Sequence, residues 1–224
     1  LTFGSLVVAV PGPALAQSDT GGEAPADSVR QEDSYLSLQW WRPLVAGAAV
    51  GAVMLVDEPV QAFVQDHRSE FKDDLADIFQ EFHQPEVVGV ASIGAMSLGL
   101  VLRDAKLAET GVQILTAYGL ASGMMIATKW AFGRDRPSVS PDDAFSFNWF
   151  EGGSDSSFPS GAAAVSFSLA TTIADAVDEP VVTVLVYTGA TLNAWSRVYS
   201  NKHWLSDVAL GAIYGITAAK IVNG

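Results

Sequence analysis

Three short segments of the chain carry side chains whose types and spacing suit the handling of a phosphate. The first runs Lys129-Trp130-Ala131-Phe132-Gly133-Arg134-Asp135-Arg136-Pro137. Lys129 offers a mobile point charge, and Arg136 a planar fork that matches phosphate oxygens. Pro137 stiffens the exit from the helical turn. The second is Ser157-Phe158-Pro159-Ser160-Gly161-Ala162, where a loop enters a helix. Pro159 and Ser160 suit a helix start, and Gly161 allows close backbone approach. Unpaired N–H groups at such a start bind anions, and the Ser160 hydroxyl can donate one more hydrogen bond. The third spans Ser196 to Asp207. His203 and Asp207 stand four residues apart and share a helix face. A carboxylate bonded to one imidazole nitrogen would fix the tautomer and leave the other nitrogen as a nucleophile. Arg197 adds a second guanidinium.

Each segment alone has an ordinary structural reading: an interfacial basic anchor, an N-cap, a helical His–Asp pair. Their placement among the helices is what joins them. Six apolar stretches are expected to be helices, at 44–56, 87–102, 111–128, 160–174, 181–196 and 208–222. The first segment ends the third helix, and the second starts the fourth. The third spans the end of the fifth and the start of the sixth. If the helices alternate up and down, all three segments meet at one end of an all-α, six-helix bundle.

The stretches are rich in Ala, Gly, Ser and Thr and sit at or just below the length of a bilayer span, roughly 17–25 residues. Small residues let helices pack closely in lipid. A transmembrane bundle is therefore expected, with a soluble bundle as the alternative. Between the first two apolar helices, residues 58–82 alternate apolar and charged positions at helical spacing, from Val60 and Phe63 to Phe79 and Phe82. One amphipathic helix is expected there, either on the membrane surface or packed on the core. Residues 138–158 read as a loop.

The 224-residue chain has a net charge of −13, which argues against a nucleic-acid partner. A phosphorylated substrate must be attracted locally. With no cysteine, disulfides and thiolate metal sites are excluded. Leu6–Val10 form a short apolar run, followed by Pro11, Gly12, Pro13 and the small residues before Gln17. Residues 1–16 read as a signal-peptide remnant. Residues 17–42 read as a disordered or linker segment, and 43–224 as the domain.

The spacing Lys129-x6-Arg136-Pro137, then Pro159-Ser160-Gly161, then Ser196-Arg197-x5-His203-x3-Asp207 resembles the signature of the type 2 phosphatidic acid phosphatase superfamily. Lipid phosphate phosphatases, bacterial class A acid phosphatases and vanadium haloperoxidases belong to it. The resemblance implies that His203 attacks phosphorus and becomes a phosphohistidine, oriented by Asp207. It implies that Lys129, Arg136, Arg197, Ser160 and Gly161 hold the phosphoryl oxygens, and that no metal or cofactor is needed. One position departs from the pattern. The family places a general acid/base His after Pro-Ser-Gly, and here that residue is Ala162. A methyl group transfers no protons, so phosphate binding should survive while turnover drops. The intactness of every other motif position favours an introduced substitution over a degenerate natural enzyme. His67 and His83 are expected to be structural.

The function expected is hydrolysis of a phospholipid or polyprenyl phosphate or pyrophosphate. Candidate lipids include phosphatidic acid, phosphatidylglycerophosphate, polyprenyl pyrophosphate and a lipid A phosphate. A soluble periplasmic acid phosphatase and a binding-only lipid-phosphate protein are the alternatives; a haloperoxidase ranks below them. The place expected is the inner membrane with the site facing the periplasm. Signal cleavage followed by six full spans would instead turn the site inward. The topology implied by 1–16 and that implied by the family therefore conflict.

Overall fold

A computed structural model of the chain describes residues 41–80 and 85–224. The signal remnant at 1–16, most of the linker at 17–42, Phe82 and His83 lie outside the described residues. The described residues form eight helices and no strand. They are α1 (Arg42–Met54), α2 (Asp57–Asp66), α3 (Glu70–Gln80), α4 (Pro85–Leu102), α5 (Ala105–Phe132), α6 (Gly161–Val177), α7 (Pro180–Tyr199) and α8 (Leu205–Asn223). Each of the six apolar stretches expected from sequence falls on a helix: α1, α4, α5, α6, α7 and α8.

Local chemistry explains several of the helix ends. At the start of α5 the Asp104 carboxylate accepts from Leu107 N at 3.1 Å. At its end Gly133 takes the left-handed conformation, φ 55°, and its N–H closes on Lys129 O at 3.0 Å. Pro180 opens α7 at a position where no N–H is needed.

The centre of the bundle is α6, which packs against α5, α7 and α8. Its contact with α8 is backbone to backbone. A Cβ placed on Gly211 would overlap the Ser160 carbonyl oxygen, and one on Gly215 the Ala164 carbonyl oxygen. This Gly-x3-Gly spacing puts both glycines on one face of α8, so the two helices can approach closely. Ala163, Ala194, Val198 and Val208 fill one part of the interior, and Ala121, Ala164 and Ala218 another.

The outside of the bundle is apolar. Val90, Ile93, Leu100 and Val101 on α4 and Val112, Leu115 and Ile126 on α5 are exposed. Among the described residues three helices, α4, α5 and α8, are long and apolar enough to cross a membrane. The count rises to four if α1 and α2, bent by 49° at a short break, form one broken span. Sequence led to the expectation of six. For α6 the difference is one of length and burial: it is short and sits inside the bundle.

The amphipathic segment also differs from expectation. It is two helices, α2 and α3, broken at His67–Ser69. Its sidedness is partly inverted. Asp57 and Gln61 are buried against the bundle, while Phe63, Phe71 and Ile78 are exposed. The inward polar groups have partners, except Gln61 Oε1. Gln61 Nε2 donates to Val198 O at 3.3 Å and also to Asn201 Oδ1. Gln65 Nε2 donates to Tyr199 O at 3.1 Å. The Tyr199 hydroxyl donates to Asp73 Oδ1 of α3 at 2.7 Å. The pair α2–α3 is thereby tied to the end of α7 and to the turn that follows it.

Candidate active site

The four helix ends expected to meet do meet. The Ser160 N–H, at the start of α6, donates to Asp207 O in the first turn of α8 at 2.9 Å. Lys129, in the last turn of α5, is buried and its ammonium donates to Ser156 O. The turn between α7 and α8 closes through His203 N–H to Arg197 O at 3.2 Å. The charges of Arg136, Arg197, Asp155 and Asp207 act on Lys129. Those of Asp207, Lys129 and Arg197 act on His203. All the predicted polar residues therefore lie in one neighbourhood.

Ser160 caps α6 as expected, its hydroxyl accepting from Ala163 N at 3.4 Å. The N–H groups of Gly161 and Ala162 follow in the first turn, where a helix has no internal acceptor for them. Ala162 itself is buried. Arg136 is half-buried, donates from Nη2 to Ser154 O at 3.3 Å, and keeps a buried Nε with no hydrogen-bond partner. It faces a cavity of about 400 Å³ that Asp135, Glu151, Asp155 and Ser156 also line.

His203 is 4% exposed. Its Nδ1 lies 2.7 Å from Ser157 O. A carbonyl only accepts, so Nδ1 carries the proton and the neutral ring keeps its lone pair on Nε2. Burial pulls the ring's pKa down to about 4, against the raising effect of Asp207; the positive charges of Lys129 and Arg197 pull it the same way as burial. At neutral pH the ring is an uncharged base with a free Nε2.

The hydrogen bond expected between Asp207 and His203 is replaced by another arrangement. Asp207 Oδ2 stands 3.6 Å from Nδ1, near enough to act by charge but beyond a hydrogen bond. The reason is that the carboxylate is otherwise engaged. Oδ2 accepts from Trp204 N at 2.7 Å, and Oδ1 accepts from Arg134 Nη1 at 2.7 Å. The tautomer is set by a backbone carbonyl, and Asp207 supplies the neighbouring negative charge.

Known proteins share sequence and fold with this chain. The model of the PAP2 superfamily matches residues 110–223, a little over half of the chain. The chain belongs to the PAP2 superfamily. A lipid A 1-phosphatase of Porphyromonas gingivalis is 35% identical over 104 residues, which is 46% of this chain and 20% of that protein. The chain thus spans about a fifth of that relative's length. The crystal structure of Aquifex aeolicus LpxE superposes with a TM-score of 0.58 at 21% identity, covering 75% of this chain and 94% of that one. A transmembrane PAP2-type phosphatidylglycerolphosphate phosphatase of Bacillus subtilis gives 0.62 at 17% identity, covering 81% and 94%. At these identities the two structures establish the shared fold.

Within this PAP2 domain several residues that the sequence left unassigned sit at the centre. Arg134, two positions before Arg136, is 1% exposed and pairs with both Asp207 and Asp57. Ser206 joins the same group. Ser157 meets His203 through its backbone oxygen, while its hydroxyl donates to Asp135 O at 2.9 Å. A third base directly after an apolar helix was the available sign for Arg134. A carboxylate directly after the apolar stretch 44–56 was the sign for Asp57. His67 stands apart from this group: it is exposed and its ring nitrogen contacts Phe63 O at 2.8 Å. His83 lies outside the described residues.

Proposed function

We propose that this PAP2 protein is a metal-independent phosphatase of a lipid phosphate, working through a phosphohistidine on His203. The observation that carries the reading is a neutral, buried imidazole with its lone pair on Nε2, set among Lys129, Arg136 and Arg197. Nε2 attacks phosphorus, the phosphorus–oxygen bond to the leaving group breaks, and Nδ1 keeps its proton on Ser157 O. The ring then carries the positive charge, next to the Asp207 carboxylate. Lys129, Arg136 and Arg197, with the Ser160 hydroxyl and the Gly161 N–H, take the negative charge that spreads over the phosphoryl oxygens. Water afterwards cleaves the phosphorus–nitrogen bond, releasing phosphate and the free imidazole.

Ala162 stands where the family's proton donor would be, so this chain should bind a phosphate ester better than it turns one over. The same feature favours a second reading, a lipid-phosphate binding protein without turnover. An aryl phosphate such as p-nitrophenyl phosphate separates the two, because its leaving group departs without a proton. The phosphatase reading expects a burst of about one p-nitrophenolate per chain followed by slow turnover. It expects Ala162→His to raise steady turnover by roughly 10²–10⁴. No burst, and no gain on restoring the histidine, would leave the binding reading standing.

The substrate class follows from the surroundings. The bundle holds helices long and apolar enough to cross a membrane, and the matched relatives include enzymes of lipid A and phosphatidylglycerol phosphate. Those two lipids are the first to assay. The cavity beside Arg136 is where the rest of a head group would lie. Placement in the inner membrane with the site toward the periplasm belongs to the same proposal, and a reporter fused to the C-terminus tests it.

A further inference from the structure

We propose that Asp57 and Arg134 are positioning residues for the nucleophile, one guanidinium being shared between two carboxylates so that the group beside His203 keeps a net negative charge. The inference rests on His203 being the nucleophile. The geometry is a buried fork. Arg134 Nη1 donates to Asp207 Oδ1 and Nη2 to Asp57 Oδ2, both at 2.7 Å. Its remaining N–H groups go to Ala144 O, at 2.8 Å from Nε, and to Ser206 Oγ, at 2.7 Å from Nη1. Arg134, Asp57 and Asp207 are each at most 1% exposed.

Asp57 is an expensive residue to place there. It opens α2 at the 49° elbow where the broken span turns. A carboxylate inside an apolar helix pair costs several kcal/mol unless it is paired, so such residues mark functional positions. The elbow carries Asp57 to two partners. One is Arg134. The other is the start of α8, whose N-cap residue, Trp204, has no side-chain oxygen to offer. Asp57 Oδ1 accepts from Ser206 N at 2.9 Å and so caps α8 from a distant part of the chain. The helix start that presents His203 and Asp207 is thus anchored to α2.

The charge count gives the group its chemical meaning. Two carboxylates share one guanidinium, leaving one net negative charge. If Arg134 paired with Asp207 alone, that carboxylate would be neutralised. Phosphorylation of His203 makes its ring cationic, and a net negative neighbour favours that step. Asp207 on α8, Lys129 on α5 and Arg197 on α7 face the ring, with Ser157 O from the loop before α6. The two cations oppose a charged ring. Asp57 is what keeps Asp207 from being cancelled as well.

The test is the titration of the His203 ring in the full chain, read by NMR with labelled histidine. There are three histidines, and His203→Gln assigns the signal. Asp57→Asn keeps the size and an oxygen for Ser206 N–H but removes the charge. The proposal expects His203 to titrate about one pH unit lower. That is the effect of one charge at roughly 10 Å through an effective dielectric near 20. A merely structural role would admit water and move His203 upward, toward its ordinary value. An upward shift, or none, overturns the proposal, and this readout does not depend on turnover. Should Asp57→Asn lose its helical circular dichroism, Asp57→Glu replaces it. With the charge kept and the carboxylate displaced, the titration stays within about 0.3 unit, while the p-nitrophenolate burst slows about tenfold and inorganic phosphate binds within about twofold. A burst as fast as the parent's overturns the positioning role. A parent without any burst sinks the phosphatase reading instead, and the titration still decides on Asp57.

Discussion

Removing the titrating ring with His203→Asn should flatten one part of the pH dependence of stability. In the folded chain burial holds His203 neutral, with its pKa near 4, against an ordinary value of 6.5 in the unfolded chain. The folded pKa is the lower one. The unfolded state therefore binds the extra proton first as pH falls, and stability is lost between pH 6.5 and about 4. Above that window no stability is lost, and below it the loss is complete. A separation of about 2.5 units corresponds to about 3 kcal/mol. At 4% exposure solvent screening removes little of this. The assay is denaturant unfolding in detergent at several pH values, for the parent and for His203→Asn. An asparagine amide can still donate to Ser157 O, so the fold should persist. The difference between the two proteins should change by about 3 kcal/mol across the window. A bound phosphate dianion favours the protonated ring, so saturating phosphate should shrink the change. A difference that stays constant from pH 7 to 4 would refute the buried, neutral imidazole on which the mechanism stands.

Other substitutions probe the scaffold and the anion site. Gly211→Ala forces a Cβ into the Ser160 carbonyl, so it should cost about 1–3 kcal/mol in unfolding and weaken phosphate binding together. Arg134→Met strands two buried carboxylates. It should destabilise the chain by about 3–5 kcal/mol at neutral pH, and acid should reverse part of the loss as the carboxyls protonate. Lys129→Ala removes one cation from the proposed phosphate site and should raise the phosphate Kd by about 10- to 100-fold by calorimetry, corresponding to about 1.5–3 kcal/mol for one charged hydrogen bond.

Much of this arrangement was legible in the chain because the information is local. A run such as Val87–Leu102 is apolar all round, and α4 follows it almost residue for residue. Ser160 before Gly161 announces a helix start, and α6 begins there. His203 and Asp207 at i and i+4 share a neighbourhood in the turn into α8. The amphipathic segment was harder. Reading it with apolar residues inward fails where polar side chains of the segment find buried partners and apolar ones turn outward. Asp57 and Gln61 turn in, and Phe63 and Phe71 turn out.

The proposed phosphate site, from Lys129 to Asp207, is carried by three short motifs. The sequence alone determined its residue types, the helices that end at it and the family it belongs to. Only the tertiary structure decided how the His203 ring is held. Ser157 acts through a carbonyl, and every residue has one, so no side-chain pattern marks it. Arg134 meets Asp57 across 77 residues and Asp207 across 73, and a contact that remote leaves no spacing to read. The partner of a buried charge is chosen by packing, because only the folded interior makes leaving that charge unpaired prohibitive.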